Sequence, residues 1–143
     1  MYISTLDIQQ TLDAQLATVV YPSFADIPAP DIFPENIRAY QQGTTPFIRS
    51  TLGPAKSIIS SLGINKIIKQ QGLYQVDVFV PIDYSYIIGR TFADAIIAAF
   101  PPGFLTLQSG SNLIINTAWS GPALNDYNSF LMTPVKVDWW IEV

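Results

Sequence analysis

Gly72-Leu73-Tyr74-Gln75-Val76-Asp77-Val78-Phe79-Val80-Pro81 is the stretch on which the fold turns. Tyr74, Val76, Val78 and Val80 fall on every second position, with Gln75 and Asp77 between them. That is the period of a strand with one buried face. Gly72 reads as a turn point before the strand, and Pro81 with Asp83 as its exit. The period then changes. Ile88, Phe92, Ile96 and Ala99 line one face of a helix over about residues 85 to 100. Ala93, Ala95 and Ala98 keep that helix lean enough to pack closely, and Pro101-Pro102-Gly103 ends it.

Toward the C-terminus, Phe104 to Leu107, Leu113 to Trp119 and Thr133 to Val143 read as strands. In the last, Val135, Val137, Trp139, Ile141 and Val143 share one face, and Lys136, Asp138, Trp140 and Glu142 the other. Trp140 is a large aromatic among polar residues, which suggests an intersubunit contact. Toward the N-terminus, Pro46 to Leu52 leads into a strand over residues 47 to 52, ended by Gly53-Pro54. A first helix is predicted over residues 4 to 20, capped by Ser4 with Asp7 three positions on. Its apolar face is Ile8, Leu12, Leu16 and Val19, and Pro22 stops it near Tyr21.

Two regions break the pattern. Residues 21 to 46 hold five prolines, so only short extended pieces are expected, among them Ile37 to Tyr40. Residues 53 to 72 carry Ile58, Ile59, Ile64, Ile67 and Ile68 between Gly53-Pro54, Gly63 and Gly72. They read as a hairpin arm projecting from the sheet, too apolar to be a solvated loop. The element order gives an α+β fold: a largely antiparallel or mixed β-sheet with two α-helices on one face and a protruding β-hairpin arm. The sheet core is predicted from Val76, Val78, Val80, Val135, Val137, Trp139 and Ile141, covered by Leu12, Leu16, Phe92 and Ile96.

At 143 residues the chain is expected to be one domain, 1-143, able to bury roughly 68–70% of its unfolded surface. Charged residues are only 13%. That is about half the usual share, and such a surface is more often hidden in an assembly. The net charge is −4 and the seven basic residues are scattered, a poor footprint for nucleic acid. No apolar run is long enough to span a membrane, and the N-terminus lacks the features of a signal peptide.

The chain has neither Cys nor His. Zinc-thiolate and iron–sulfur sites and His-dependent triads are therefore excluded. No phosphate-binding or dinucleotide motif is present. Asp77 and Asp83 near one strand end, and Asp126 in a Gly/Pro/Asn loop, read as solvated turn residues, with no partner placed for catalysis. Asp26, Asp31 and Glu35 do not match a calcium loop. Lys56 to Lys69 is the one local basic strip, and Lys66 and Lys69 with Arg49 could contact an acidic partner. No catalytic, cofactor-binding or metal-binding residue is assigned, and no cofactor is expected.

The strand Gly72 to Pro81, the helix with Gly89 and Phe92-Ala93-Asp94-Ala95-Ile96, then Phe100 and Pro102-Gly103 form a longer pattern. With Pro46 to Leu52 upstream, and Gly121-Pro122 and Pro134 to Trp139 downstream, it resembles the phage tail-terminator-like proteins, of the lambda-type tail terminator and minor tail protein kind. The proline-rich segment 21 to 45 and the isoleucine-rich arm depart from that pattern. The resemblance implies a non-enzymatic virion protein. Its copies would form a ring, usually a homohexamer, at the head-proximal end of the tail tube. Such a ring stops tube polymerisation and offers a docking surface to the neck or head-completion protein. Its expected partners are further copies, the tail tube protein and the neck, with assembly in the host cytoplasm. A head–tail connector, stopper or tube protein is the nearest alternative. A small ligand-binding α+β domain is the alternative from another class, and it predicts a monomer with a pocket.

Overall fold

The structure is a computed structural model that describes residues 3–24, 27–33, 45–53, 56–59, 68–83, 86–125 and 130–142. Helix α1 is Thr5–Leu16 and α2 is Tyr86–Ala99. The strands are β1 Asp31–Phe33, β2 Phe47–Leu52, β3 Lys56–Ile59, β4 Ile68–Pro81, β5 Gly103–Thr106, β6 Asn112–Ser120, β7 Leu124–Asn125 and β8 Phe130–Glu142. They join in one mixed sheet of order β1-β2-β4-β8-β6-β5, in which β3 pairs with β4 and β7 with β8. All pairs are antiparallel except β1 with β2. This is the α+β fold expected.

The two longest strands, β4 and β8, make the spine, paired from Lys69↔Glu142 to Pro81↔Phe130. Their alternation sends Tyr74, Val76, Val78, Val80, Val135, Val137, Trp139 and Ile141 to one face, each at most 1% exposed. Both helices cover that face. Ile8, Leu12 and Leu16 of α1, and Ile88, Phe92, Ala93 and Ile96 of α2, complete the core. Every residue of the predicted core is buried. Tyr21 and Phe24, from the proline-rich stretch, meet the Phe92 ring edge-on at 5.4 and 5.8 Å.

Side chains tie α1 down. Gln70 is fully buried in β4, and its amide clasps the backbone of Ile3. The Ile3 N–H donates to Oε1 (2.6 Å) and Nε2 donates to the Ile3 carbonyl (3.1 Å). A buried amide satisfied on both sides costs little. The Tyr74 hydroxyl donates to the Asp13 carboxylate. Burial first, then that carboxylate, pushes the Tyr74 phenol far above its ordinary value. Gln15 Nε2 donates to the Ala99 carbonyl at 2.7 Å, joining the C-terminal ends of the helices.

Three expectations need correction. First, α1 stops at Leu16 instead of near Tyr21. Thr18 and Val19 donate to carbonyls three residues back, and the Thr18 hydroxyl also bonds the Gln15 carbonyl, which tightens and ends the last turn. Ser4 makes no side-chain cap, and Asp7 instead accepts the backbone N–H of Gln108 and Ser109 at 3.2 and 3.4 Å. Second, Gly72 is no turn point. It lies inside β4 opposite Trp139, and a Cβ there would come within 2.6 Å of the indole Cζ2. Glycine in a strand marks such a close approach.

Third, residues 68 to 72 do not stand apart from the sheet. β4 begins at Ile68 and pairs β3 on one side and β8 on the other. The base of the hairpin is sheet, and residues 60–67 between β3 and β4 lie outside the described residues. β2 and β3 follow one another along the same edge of β4. Leu52 pairs with Tyr74 and Lys56 with Gln71, so β2–β3 has one extra residue, as at a bulge. The Gly53 N–H, at the break, still donates to the Leu73 carbonyl (2.7 Å). The short strand over Ile37 to Tyr40 lies outside the described residues. β1, placed at Asp31–Phe33 between prolines, takes the edge beside β2.

Candidate assembly surface

Among the described residues, the second face of the sheet carries no helix. Its residues alternate with the core along the same strands, and the register fixes which of them are neighbours. Near the end where α2 begins, Phe47, Phe79 and Phe130 form a separate apolar cluster with Met132 against it. The rings of Phe47 and Phe79 stack at 4.5 Å, and Phe130 meets Phe47 edge-on at 5.1 Å. The Arg49 guanidinium lies over Phe79, 5.8 Å from its centroid.

One row further along, Arg49 faces Asp77 across β2 and β4. Gln75 Nε2 donates to Asp77 Oδ1 at 2.8 Å. Burial raises the Asp77 pKa, while the Gln75 hydrogen bond and the charges of Arg49 and Lys136 pull it the other way. Lys136 pairs with Gln75 on one side and with Trp119 on the other. The Trp119 indole is 41% exposed. Beyond it, Asn116 Nδ2 donates to Asp138 Oδ2 at 3.1 Å. The last row runs Phe104–Ile114–Trp140–Gln71. Lys69 Nζ sits 4.7 Å above the Trp140 ring, and Phe104 is 65% exposed.

This face sets tryptophans and phenylalanines among three bases, Arg49, Lys69 and Lys136, and three acids, Asp77, Asp138 and Glu142. Its aromatic residues and Arg49 are of the types enriched where proteins meet. Among the described residues no group of three potential metal ligands occurs, and no helix is long and apolar enough to cross a membrane. A second feature adjoins the face at its edge, a groove of about 400 Å³ between α1 and β5, lined by Gln10, Thr11, Gln15, Thr18, Leu105 and Thr106.

The residues singled out from sequence scatter over this frame. Asp77 is not a solvated turn residue at a strand end: it lies inside the 14-residue β4, Ile68–Pro81, flanked by β2 and β8 and partly buried. Asp83 is in the exposed turn after β4, and Asp31 opens β1. Asp26, Glu35, Asp126 and Lys66 lie outside the described residues. Arg49 and Lys69 do not lie together. Arg49 is level with Asp77, eight residues along β4 from Lys69, roughly 26 Å at strand spacing. Trp140 is on the helix-free face as expected.

The alternation reading passed over Trp119, Phe104 and the three-phenylalanine cluster. Phe79 shares its parity with Gln75 and Asp77, which was the available signal. Trp119 had none, because a register shift between Ile115 and Thr117 puts Asn116 out of step.

Comparison with known proteins follows the same line. No curated protein matches the chain. A solved structure known only by a sequence identifier superposes with a TM-score of 0.66 at 17% identity, over 99% of this chain and 98% of that one. It shares the fold. A chain from the virion of a native gene transfer agent particle superposes more loosely, with a TM-score of 0.44 at 17% identity over 92% and 84% of the two chains, and bears no weight here. The model of one protein family, described as phage tail terminator protein, matches residues 7–139. That span runs from the first turn of α1 to Trp139 in β8, and the chain belongs to the phage tail terminator protein family.

Proposed function

We propose that this protein closes the tail tube as its family name implies. Copies of the chain, six by the resemblance drawn from sequence, form a ring at the head-proximal end of the tail. The ring stops tube polymerisation and presents a docking surface to the neck or head-completion protein. The whole chain acts as one structural domain, without catalysis or cofactor. It resides in the virion and assembles in the host cytoplasm.

The observation that carries this reading is the helix-free face of the sheet. Trp119, Trp140 and Phe104 lie on it with Arg49, Lys69 and Lys136, uncovered by either described helix. An acidic protein with 13% charged residues has little reason to leave such a surface to water. A ring needs a head-to-tail interface that closes, and it needs no reactive site. A cryo-electron microscopy map of the assembled tail tests the proposal. A ring of copies of this chain is expected at the head-proximal end, and a single copy there would sink it.

A further inference from the structure

We propose that β5 is an assembly edge, and that β3 of a second copy adds to it as a parallel strand. This rests on the ring reading above and names the surfaces that join. β5 is the margin of the sheet, paired only with β6 among the described residues. Edge strands are usually guarded by charges, prolines or bulges. β5 reads Gly-Phe-Leu-Thr, uncharged and mostly exposed.

The direction of its free groups follows from the ladder. The Leu107 N–H donates to the Ser111 carbonyl at 2.8 Å, one step beyond Thr106↔Asn112. Hydrogen-bonded pairs alternate along an antiparallel ladder. The backbone groups of Leu105 therefore point toward β6, and those of Phe104 and Thr106 point outward. Beside them lies the α1–β5 groove. The Thr11, Gln15 and Thr18 side chains there already donate to the carbonyls of Asp7, Ala99 and Gln15, and their oxygens with the Gln10 amide face an incoming segment as neutral polar groups. Extended chain added to a sheet edge is a recurrent mode of recognition.

The occupant is identified by the opposite margin. β3 pairs only with β4, and no described strand lies along its outer edge. The row Phe104–Ile114–Trp140–Gln71–Lys56 crosses the whole sheet, which puts β5 and β3 at the same level on opposite margins. Four antiparallel steps separate them, so they run in the same direction. A sideways step of one copy thus lays β3 along β5 in parallel, the arrangement that β1 and β2 already adopt within the chain. The two surfaces differ, so the contact is head-to-tail and can close into a ring.

The chain contains no cysteine, which makes introduced pairs unambiguous. Phe104→Cys combined with Lys56→Cys, oxidised in assembled tails, should give a ladder of multiples of the 15.8 kDa chain on a non-reducing gel. Neither single variant should do so. Thr106→Pro removes an outward N–H without touching the β6 ladder. It should lower incorporation into tails at least tenfold, while Thr106→Val incorporates normally. An intact ring in the map with no ladder, from this pair or from Phe104→Cys with Ile58→Cys, overturns the proposal. So does normal incorporation of Thr106→Pro, or a cross-link to a different tail protein. Should Thr106→Pro fail to fold, the cysteine pairs still decide. The absence of any ring would overturn the proposed function instead.

Discussion

The two faces of the β4–β8 ribbon are built from alternate residues of the same strands, yet they do different work. The covered face is apolar from Tyr74 to Val80 and from Val135 to Ile141, and two helices seal it. The other face alternates apolar and charged patches: three phenylalanines, then Arg49, Asp77 and Lys136, then Trp119 and Trp140. The covered face holds the fold together. At one end of the open face Phe47, Phe79 and Phe130 bury one another and add to the fold, while Trp119 at 41% and Phe104 at 65% exposure stay open, as on a surface that meets a partner.

Substitutions that separate stability from assembly sharpen that contrast. The largest effect belongs to the covered face. Phe92 is 1% exposed and meets Tyr21 and Phe24, so Phe92→Ala should cost about 3–5 kcal/mol. A loss below about 1 kcal/mol in denaturant unfolding would refute its place in the core. Tyr74→Phe removes the donor to Asp13, and a hydrogen bond to a charged acceptor contributes roughly 1.5–3 kcal/mol. An unchanged unfolding midpoint would show that this tie to α1 is idle. Gly72→Ala drives a methyl into the Trp139 indole and should cost about 1–3 kcal/mol. Trp139→Phe in the same chain, by making room, should recover part of that loss.

The open face should behave in the opposite way. Trp119→Ala is expected to change stability by no more than about 0.5 kcal/mol, as for a surface substitution, while depleting the protein from purified tails. If stability falls and incorporation does not, the two faces have been assigned the wrong way round. The smallest effect concerns Asp77. Its raised pKa means that the folded chain holds the proton more tightly than the unfolded one. Stability therefore falls as pH rises from the ordinary carboxylate value of 3.8 through the raised one. Asp77→Asn should be slightly more stable than the parent at neutral pH, and the gap should close below the ordinary carboxylate range. A variant less stable than the parent at neutral pH would mean that Arg49 and Lys136 outweigh burial.

Most of the covered face was legible in the sequence because a half-buried strand and an amphipathic helix leave periods of two and 3.6. Val76, Val78, Val80, Phe92 and Ile96 stand where those periods put them. What periodicity does not encode was missed. Gly72 looks like a turn until Trp139, 67 residues away, is seen to need the space. The early start of β4 at Ile68 depends on β3 and β8 flanking it, which no local pattern reveals. Trp119 is hidden by the register shift at Asn116, and the separation of Arg49 from Lys69 follows from the length of β4, which no local pattern gives. The open face is a product of topology, and so is any site built on it.

The central claim is that this chain ends the tail tube. Tail length, measured by electron microscopy in particles assembled without the chain, tests it most directly. Tubes longer than normal, restored to normal length when the intact protein is supplied, are the predicted result. Tails of normal length in its absence would contradict the account.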